Sequence, residues 1–229
     1  MYWDWTYILV LIGAAISALA SLGVKNTFSK YSKVLSNNRL TSEEVALRML
    51  NQAGIFDVSV ERVSGNLTDH YSPSEKVLRL SDSVYGKSSV AAIGVAAHEC
   101  GHAIQHKEGY APLTLRSVSV PLCKFGSWFY WPTIILGVIL GLTGLTRVGI
   151  LFFTLVVFFQ LITLPVEFNA SHRAINILES SGMLVAGEVT GAKKVLKAAA
   201  MTYVAALLTS LLQLLRLVLL YGGGRRRRR

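Results

Sequence analysis

Four stretches of this 229-residue chain contain no Asp, Glu, Lys or Arg: Thr6 to Val24, Phe125 to Thr146, Val148 to Val166 and Ala198 to Leu215, of 19, 22, 19 and 18 residues. A helix of about 20 apolar residues crosses a hydrocarbon core of about 30 Å, so each stretch is long enough for one crossing. The constraint is strong, because a crossing segment must satisfy all its backbone polar groups internally. Only 16% of the chain is charged. All 36 charged residues, however, fall among the 151 outside the four stretches, where they make up 24%. That is close to the roughly 25% of ordinary soluble protein. A hydrophobic content of 52% excludes an intrinsically disordered chain, and two cysteines, Cys100 and Cys123, exclude a disulfide scaffold. The sequence reads as a multi-pass membrane protein with one ordinary polar portion.

The charge pattern divides the chain. Residues 6–24 form a first transmembrane helix. A signal peptide is the alternative, since Ala18-Leu19-Ala20 has the form of a cleavage site, but Met1 to Trp5 contains Asp4 and no basic residue, which favours a retained anchor. Residues 25–124 form the polar domain. Residues 125–146 and 148–166 make a tight helical hairpin around Arg147, 167–197 a helical segment, 198–221 a transmembrane or interfacial helix, and 222–229 a basic tail ending in five arginines. Within the polar domain, Thr41-Ser42-Glu43-Glu44 has the form of a capping box and predicts a helix from Ser42 to Ala53. Alternation over Asp57 to Val63 and Val77 to Ser81 predicts two or three short strands, and the Ala-rich run from Ser88 to His106 returns to helix.

That last helix carries His98-Glu99-Cys100-Gly101-His102, which fits H-E-x-x-H. Residues four apart share a helix face, so both imidazoles can reach one metal ion, with Glu99 beside them to take a proton from an activated water. A shuffled chain of this composition would match the pattern roughly four times in a thousand. Cys100 points away from the shared face and reads as a small buried residue. His106 extends the face but lies one turn, about 5.4 Å, beyond His102, too far along to share the ion. A catalytic zinc site keeps three protein ligands. A histidine ten positions after His98 would supply the third in one large class, but position 108 is Glu108. Glu167, directly after the third apolar stretch, is the candidate. Ser171, four residues on, shares its face and can orient a histidine. The alternative is that Glu167 is an ordinary interfacial charge. One span followed by a hairpin of two returns the chain to the same membrane side, so His98, His102 and Glu167 can meet.

The runs Asp69-His70-Tyr71, Val77-Leu78-Arg79-Leu80-Ser81, Val95 to His106 and Pro165 to Ser171 resemble the YugP-type neutral zinc metallopeptidases of bacterial membranes, over nearly the whole chain. The chain departs from that pattern at Ser72-Pro73-Ser74, where Asp-Pro-Arg is usual. The resemblance implies an α+β membrane protein: a small gluzincin-like zincin domain, with an active-site helix and a short β-sheet, and about four transmembrane helices. It implies one zinc ion (Zn2+) held by His98, His102 and Glu167, Glu99 as general base, and a plan shared with the HtpX and prenyl-protein endoprotease group. In that plan a strand above the active-site helix pairs with the substrate backbone, and Val77, Leu78, Arg79, Leu80 and Ser81 occupy the matching place.

The expected activity is hydrolysis of peptide or protein substrates in or near a bacterial cell membrane. His70, Tyr71 and Arg173 are candidates for stabilising the oxyanion. Eleven basic residues near span ends lie on the catalytic side against seven opposite if the last stretch crosses, which leans towards a cytoplasmic active site. Arg225 to Arg229 could bind anionic lipid of the bilayer. No recognition fold accompanies the charge, so nucleic acid is not an expected partner. The competing readings are a zinc-binding membrane scaffold without turnover and an intramembrane protease of the site-2 type.

Overall fold

The computed structural model describes residues 4–222, so the arginine tail lies outside the described residues. Its elements in chain order are α1 (Tyr7–Tyr31), α2 (Ser42–Gln52), β1 (Ser59–Val63), β2 (His70–Ser72), β3 (Val77–Ser81), α3 (Val90–Lys107), α4 (Ala111–Ile139), α5 (Thr143–Ser180) and α6 (Ala186–Tyr221). Among the described residues, α1, α4, α5 and α6 are the helices long and apolar enough to cross a membrane. The described residues form two compact units: residues 21–114 with 165–201, and residues 4–20, 115–164 and 202–222.

The first unit is the polar domain. α2 starts where the capping box is expected: Thr41 Oγ1 accepts from Glu44 N, and Glu44 Oε2 accepts from Thr41 N at 2.8 Å. α2 packs on α3, and Val45, Met49, Leu50, Ile93, Ala96, Ala97 and Cys100 share one buried core with Leu78 and Leu80 of β3. Alanine and glycine along α3 keep its girth small, which lets neighbouring elements close on it from several sides. Ser89 caps its start, its Oγ accepting from Ala92 N at 3.3 Å. Lys107 at its other end donates to the carbonyls of Ala53 and Gly54 just past α2.

The sheet has the order β1-β3-β2. β1 runs parallel to β3, from Ser59 opposite Val77 to Val63 opposite Ser81. β2 runs antiparallel to β3, with His70, Tyr71 and Ser72 opposite Arg79, Leu78 and Val77. This corrects one expectation. Val77 to Ser81 is the central strand, hydrogen-bonded on both sides, and Asp69 Oδ1 takes the Ser81 N–H at 2.7 Å just past the end of β2. Val77, Leu78, Arg79, Leu80 and Ser81 have no free edge for a substrate backbone. Strand order, which alternation does not encode, makes β1 and β2 the edge strands.

In the second unit, α4 and α5 form a hairpin that turns at Leu140 to Leu142, with Gly141 at φ +66. The turn lies before Arg147, because the missing charges mark hydrocarbon whereas the chain reverses where a residue accepts positive φ. Phe125 meets Phe152 edge-on at 5.4 Å across this hairpin. α1 and α6 are antiparallel neighbours: Arg216 pairs with Asp4 at 2.9 Å and stacks over Tyr7 at 4.3 Å, and Ser17 hydrogen-bonds Thr209 at 2.9 Å.

Candidate metal centre

The centre is built where α3 crosses the part of α5 that belongs to the polar domain. His98 and His102 project from one face of α3, and their rings meet edge to face at 4.7 Å. Gly101 lies between them in sequence, and its absent side chain sets the distance to α5. A Cβ there would stand 2.5 Å from the carbonyl oxygen of Ala170. That approach brings Glu167, one turn before Ala170, into the cluster. Glu167 Oε2 lies 3.2 Å from His98 Nε2 and 3.6 Å from His102 Nε2. One ligand atom from each of the three residues falls within 4.8 Å of the others, so the group could hold a metal ion.

Each imidazole is also held from behind. His98 Nδ1 lies 3.1 Å from Ser171 Oγ, and His102 Nδ1 lies 3.0 Å from Gln105 Oε1. Both Nε2 atoms are thereby left facing Glu167, with its carboxylate 2% exposed. Such partners fix ring orientation in metal sites. For His102, burial opposes the charged form, but the hydrogen bond to Glu167 and the carboxylates of Glu99 and Glu167 outweigh it and move the imidazole upward from its usual value of 6.5. Glu99 is 8% exposed. Cys100 is fully buried, with its Sγ against the Ala46 carbonyl, and burial pushes its thiol well above the ordinary range. It behaves as a small core residue, as its position on the helix indicates.

Other candidates are engaged elsewhere. Tyr71 Oη hydrogen-bonds His106 Nδ1 at 2.9 Å, which also occupies His106 outside the three-residue group. His70 Nδ1 sits 2.9 Å from the Thr68 carbonyl. Arg173 pairs with Glu108 at 2.6 Å, donates from Nε to Asn169 Oδ1 at 2.7 Å and lies over Tyr110. Gln105 is the functional candidate that sequence reasoning passed over. The available signal was an uncharged polar residue three positions after a motif histidine, where it shares that histidine's helix face.

Four apolar helices and a small α+β domain with a His-His-Glu group shared between α3 and α5 define a membrane protein with a candidate metal centre. The chain belongs to the family described as “Putative neutral zinc metallopeptidase”, whose model matches residues 6–222. “Putative membrane protease YugP” of Bacillus subtilis (strain 168) is 49% identical over 208 residues, which is 91% of this chain and 92% of that protein. No solved structure gave a significant match to the chain.

Proposed function

We propose that the chain is a gluzincin-like zinc metalloendopeptidase that hydrolyses peptide bonds of membrane or membrane-proximal proteins, with His98, His102 and Glu167 as ligands and Glu99 as general base. The observation that carries this reading is the convergence, within 4.8 Å, of ligand atoms from His98 and His102 on the helix that bears the H-E-x-x-H motif and from Glu167 on α5. The donor set fits: the two imidazole nitrogens of His98 and His102 and one carboxylate oxygen of Glu167 are ligand types that zinc accepts, and these residues would hold it. Zinc, when bound, supplies a Lewis acid that polarises the scissile carbonyl and acidifies water.

The remaining steps belong to the chain. Glu99, next to His98 on α3, accepts the proton of the attacking water and passes it to the departing amine nitrogen. The substrate backbone lies along the free edge of β2, the one of the two outer strands that packs on α3, where main-chain hydrogen bonds hold an extended peptide. α3, 18 residues long, is not among the apolar helices, which favours a site outside the hydrocarbon over a site-2-type arrangement. Lys25, Lys30, Lys33, Lys193, Lys194 and Lys197 follow or precede apolar stretches on the catalytic side and are all exposed, which supports a cytoplasmic face.

The test separates enzyme from scaffold. Glu99→Gln is expected to keep one zinc per chain and to lose proteolysis of a casein-like substrate by about 10²–10⁴-fold. Glu167→Ala is expected to lose zinc. Full proteolysis by zinc-loaded Glu99→Gln would remove Glu99 as the base, and a zinc-loaded native protein that cleaves no peptide would support the scaffold.

A further inference from the structure

Gln105 is the last buried residue of α3 and is 0% exposed. Its amide makes three contacts: Nε2 donates to the Val166 carbonyl at 2.8 Å and to Asn169 Oδ1 at 2.9 Å, while Oε1 faces His102 Nδ1 at 3.0 Å. The directions of these bonds are dictated by chemistry. A backbone carbonyl can only accept, so the end of the amide at Val166 is the nitrogen. Arg173 Nε can only donate, so the Asn169 atom it touches is an oxygen, which also requires a donor from Gln105. The oxygen of Gln105 is left for His102, and an amide oxygen accepts only from a protonated Nδ1.

We propose that Gln105 is a positioning residue that sets the Nδ1–H tautomer of His102 and ties that ring to the α5 backbone beside Glu167. This rests on the zinc-site reading above. With the proton held on Nδ1, the Nε2 lone pair faces Glu167 and is ready for the metal. The Val166 carbonyl that Gln105 grips belongs to the residue just before Glu167, so one side chain registers two ligands against each other. His98 lacks this device. Its partner, the Ser171 hydroxyl, can donate or accept and adapts to either tautomer. The direction imposed on His102 starts at Arg173, which Glu108 holds at 2.6 Å. That gives the arginine a role in orientation through Asn169 and Gln105.

Two substitutions separate positioning from packing. Gln105→Met keeps the volume and removes every polar contact, and the loss of such a partner weakens metal affinity about 10–100-fold. Gln105→Glu keeps an acceptor for the His102 Nδ1 proton while it drops both donors, so zinc affinity is expected within a few-fold of native even as thermal stability falls. Zinc affinity is read by chelator competition, folding by thermal unfolding in the same detergent, and tautomers by long-range 1H–15N correlation of the histidines in zinc-loaded and zinc-free protein. In zinc-free Gln105→Met the His102 pattern is expected to change while that of His98 stays native. Native zinc affinity or an unchanged His102 tautomer in folded Gln105→Met would overturn the proposal, as would equal zinc loss in Gln105→Glu and Gln105→Met. If His102→Ala and Glu167→Ala themselves bound zinc like the native chain, the zinc-site reading would fall, and the proposal with it. Loss of zinc in those two beside native affinity in Gln105→Met would overturn the role of Gln105 alone.

Discussion

Gly101 shows at the scale of one residue how packing and chemistry are joined. In a helix interior, Gly→Ala ordinarily stabilises by about 1 kcal/mol through propensity. At this position the added Cβ would stand 2.5 Å from the Ala170 oxygen and 3.0 Å from its carbonyl carbon. Both are backbone atoms of a second helix and cannot swing aside as a side chain would. Overpacking costs typically about 1–3 kcal/mol, so the steric effect outweighs the propensity gain. Gly101→Ala is therefore expected to lower the unfolding temperature. It is also expected to weaken zinc binding, because the displaced α5 carries Glu167 only one turn from Ala170. Thermal unfolding with and without zinc reads both effects. A variant more stable than the native chain, with native zinc affinity, would show that α5 is free to move and that the close approach does not hold the centre.

At the scale of elements, α3 supplies the motif and β2, one of the sheet's two outer strands, the edge proposed for the peptide. If a peptide lies along β2, its amides alternate between pointing at the strand and pointing away. Successive N-methylation of a cleaved peptide should then lower kcat/KM by about tenfold or more at every second position near the scissile bond, since each lost main-chain hydrogen bond beside a desolvated partner costs about 1–3 kcal/mol. Uniform tolerance across the scan would mean that the backbone is not held by a strand. The resemblance implies a substrate strand at Val77 to Ser81, but the pattern of that run says nothing of pairing order, and β3 is the middle strand, buried at Val77, Leu78, Leu80 and Ser81. β2 has three residues, too few to show a period. By contrast, α2 was legible through its capping box and α3 through its Ala-rich motif run, since both signals are local. Gln105 escaped because its partners, Val166 and Asn169, are more than sixty positions away and an amide leaves no charge to notice. Helix ends also ran past the uncharged stretches, as where α1 continues through Lys25 and Lys30 to Tyr31, because helical hydrogen bonding does not stop at the hydrocarbon boundary.

At the scale of the whole molecule, the contacts between α1 and α6 decide how the chain threads a bilayer. From sequence the last apolar stretch could cross or lie in the interface, since it contains Gln213 and is followed by Arg216. Arg216 is paired with Asp4 and covered by Tyr7, while Thr209 bonds Ser17 and the Gly13 carbonyl further along. α6 therefore runs beside α1 in the opposite sense, and a cation beside an acid and an aromatic ring is suited to the interfacial end of a crossing. If α1 crosses, α6 crosses back, and Gly222 emerges on the side of Asp4. If all four apolar helices cross, Asp4 and Gly222 share one face, and the segment that follows α1 emerges on the other. In a variant with Cys100 and Cys123 replaced by alanine, single cysteines at Trp5 and Gly222 should react with an impermeant maleimide from the same side of sealed vesicles, and one at Lys33 or His70 from the opposite side. Labelling of Gly222 together with His70 would mean that α6 does not cross. Reaction of the Lys33 and His70 positions only after the cytoplasmic face is opened would support the cytoplasmic orientation proposed for the polar domain. Their reaction from outside intact cells would reverse that orientation while leaving the four crossings in place.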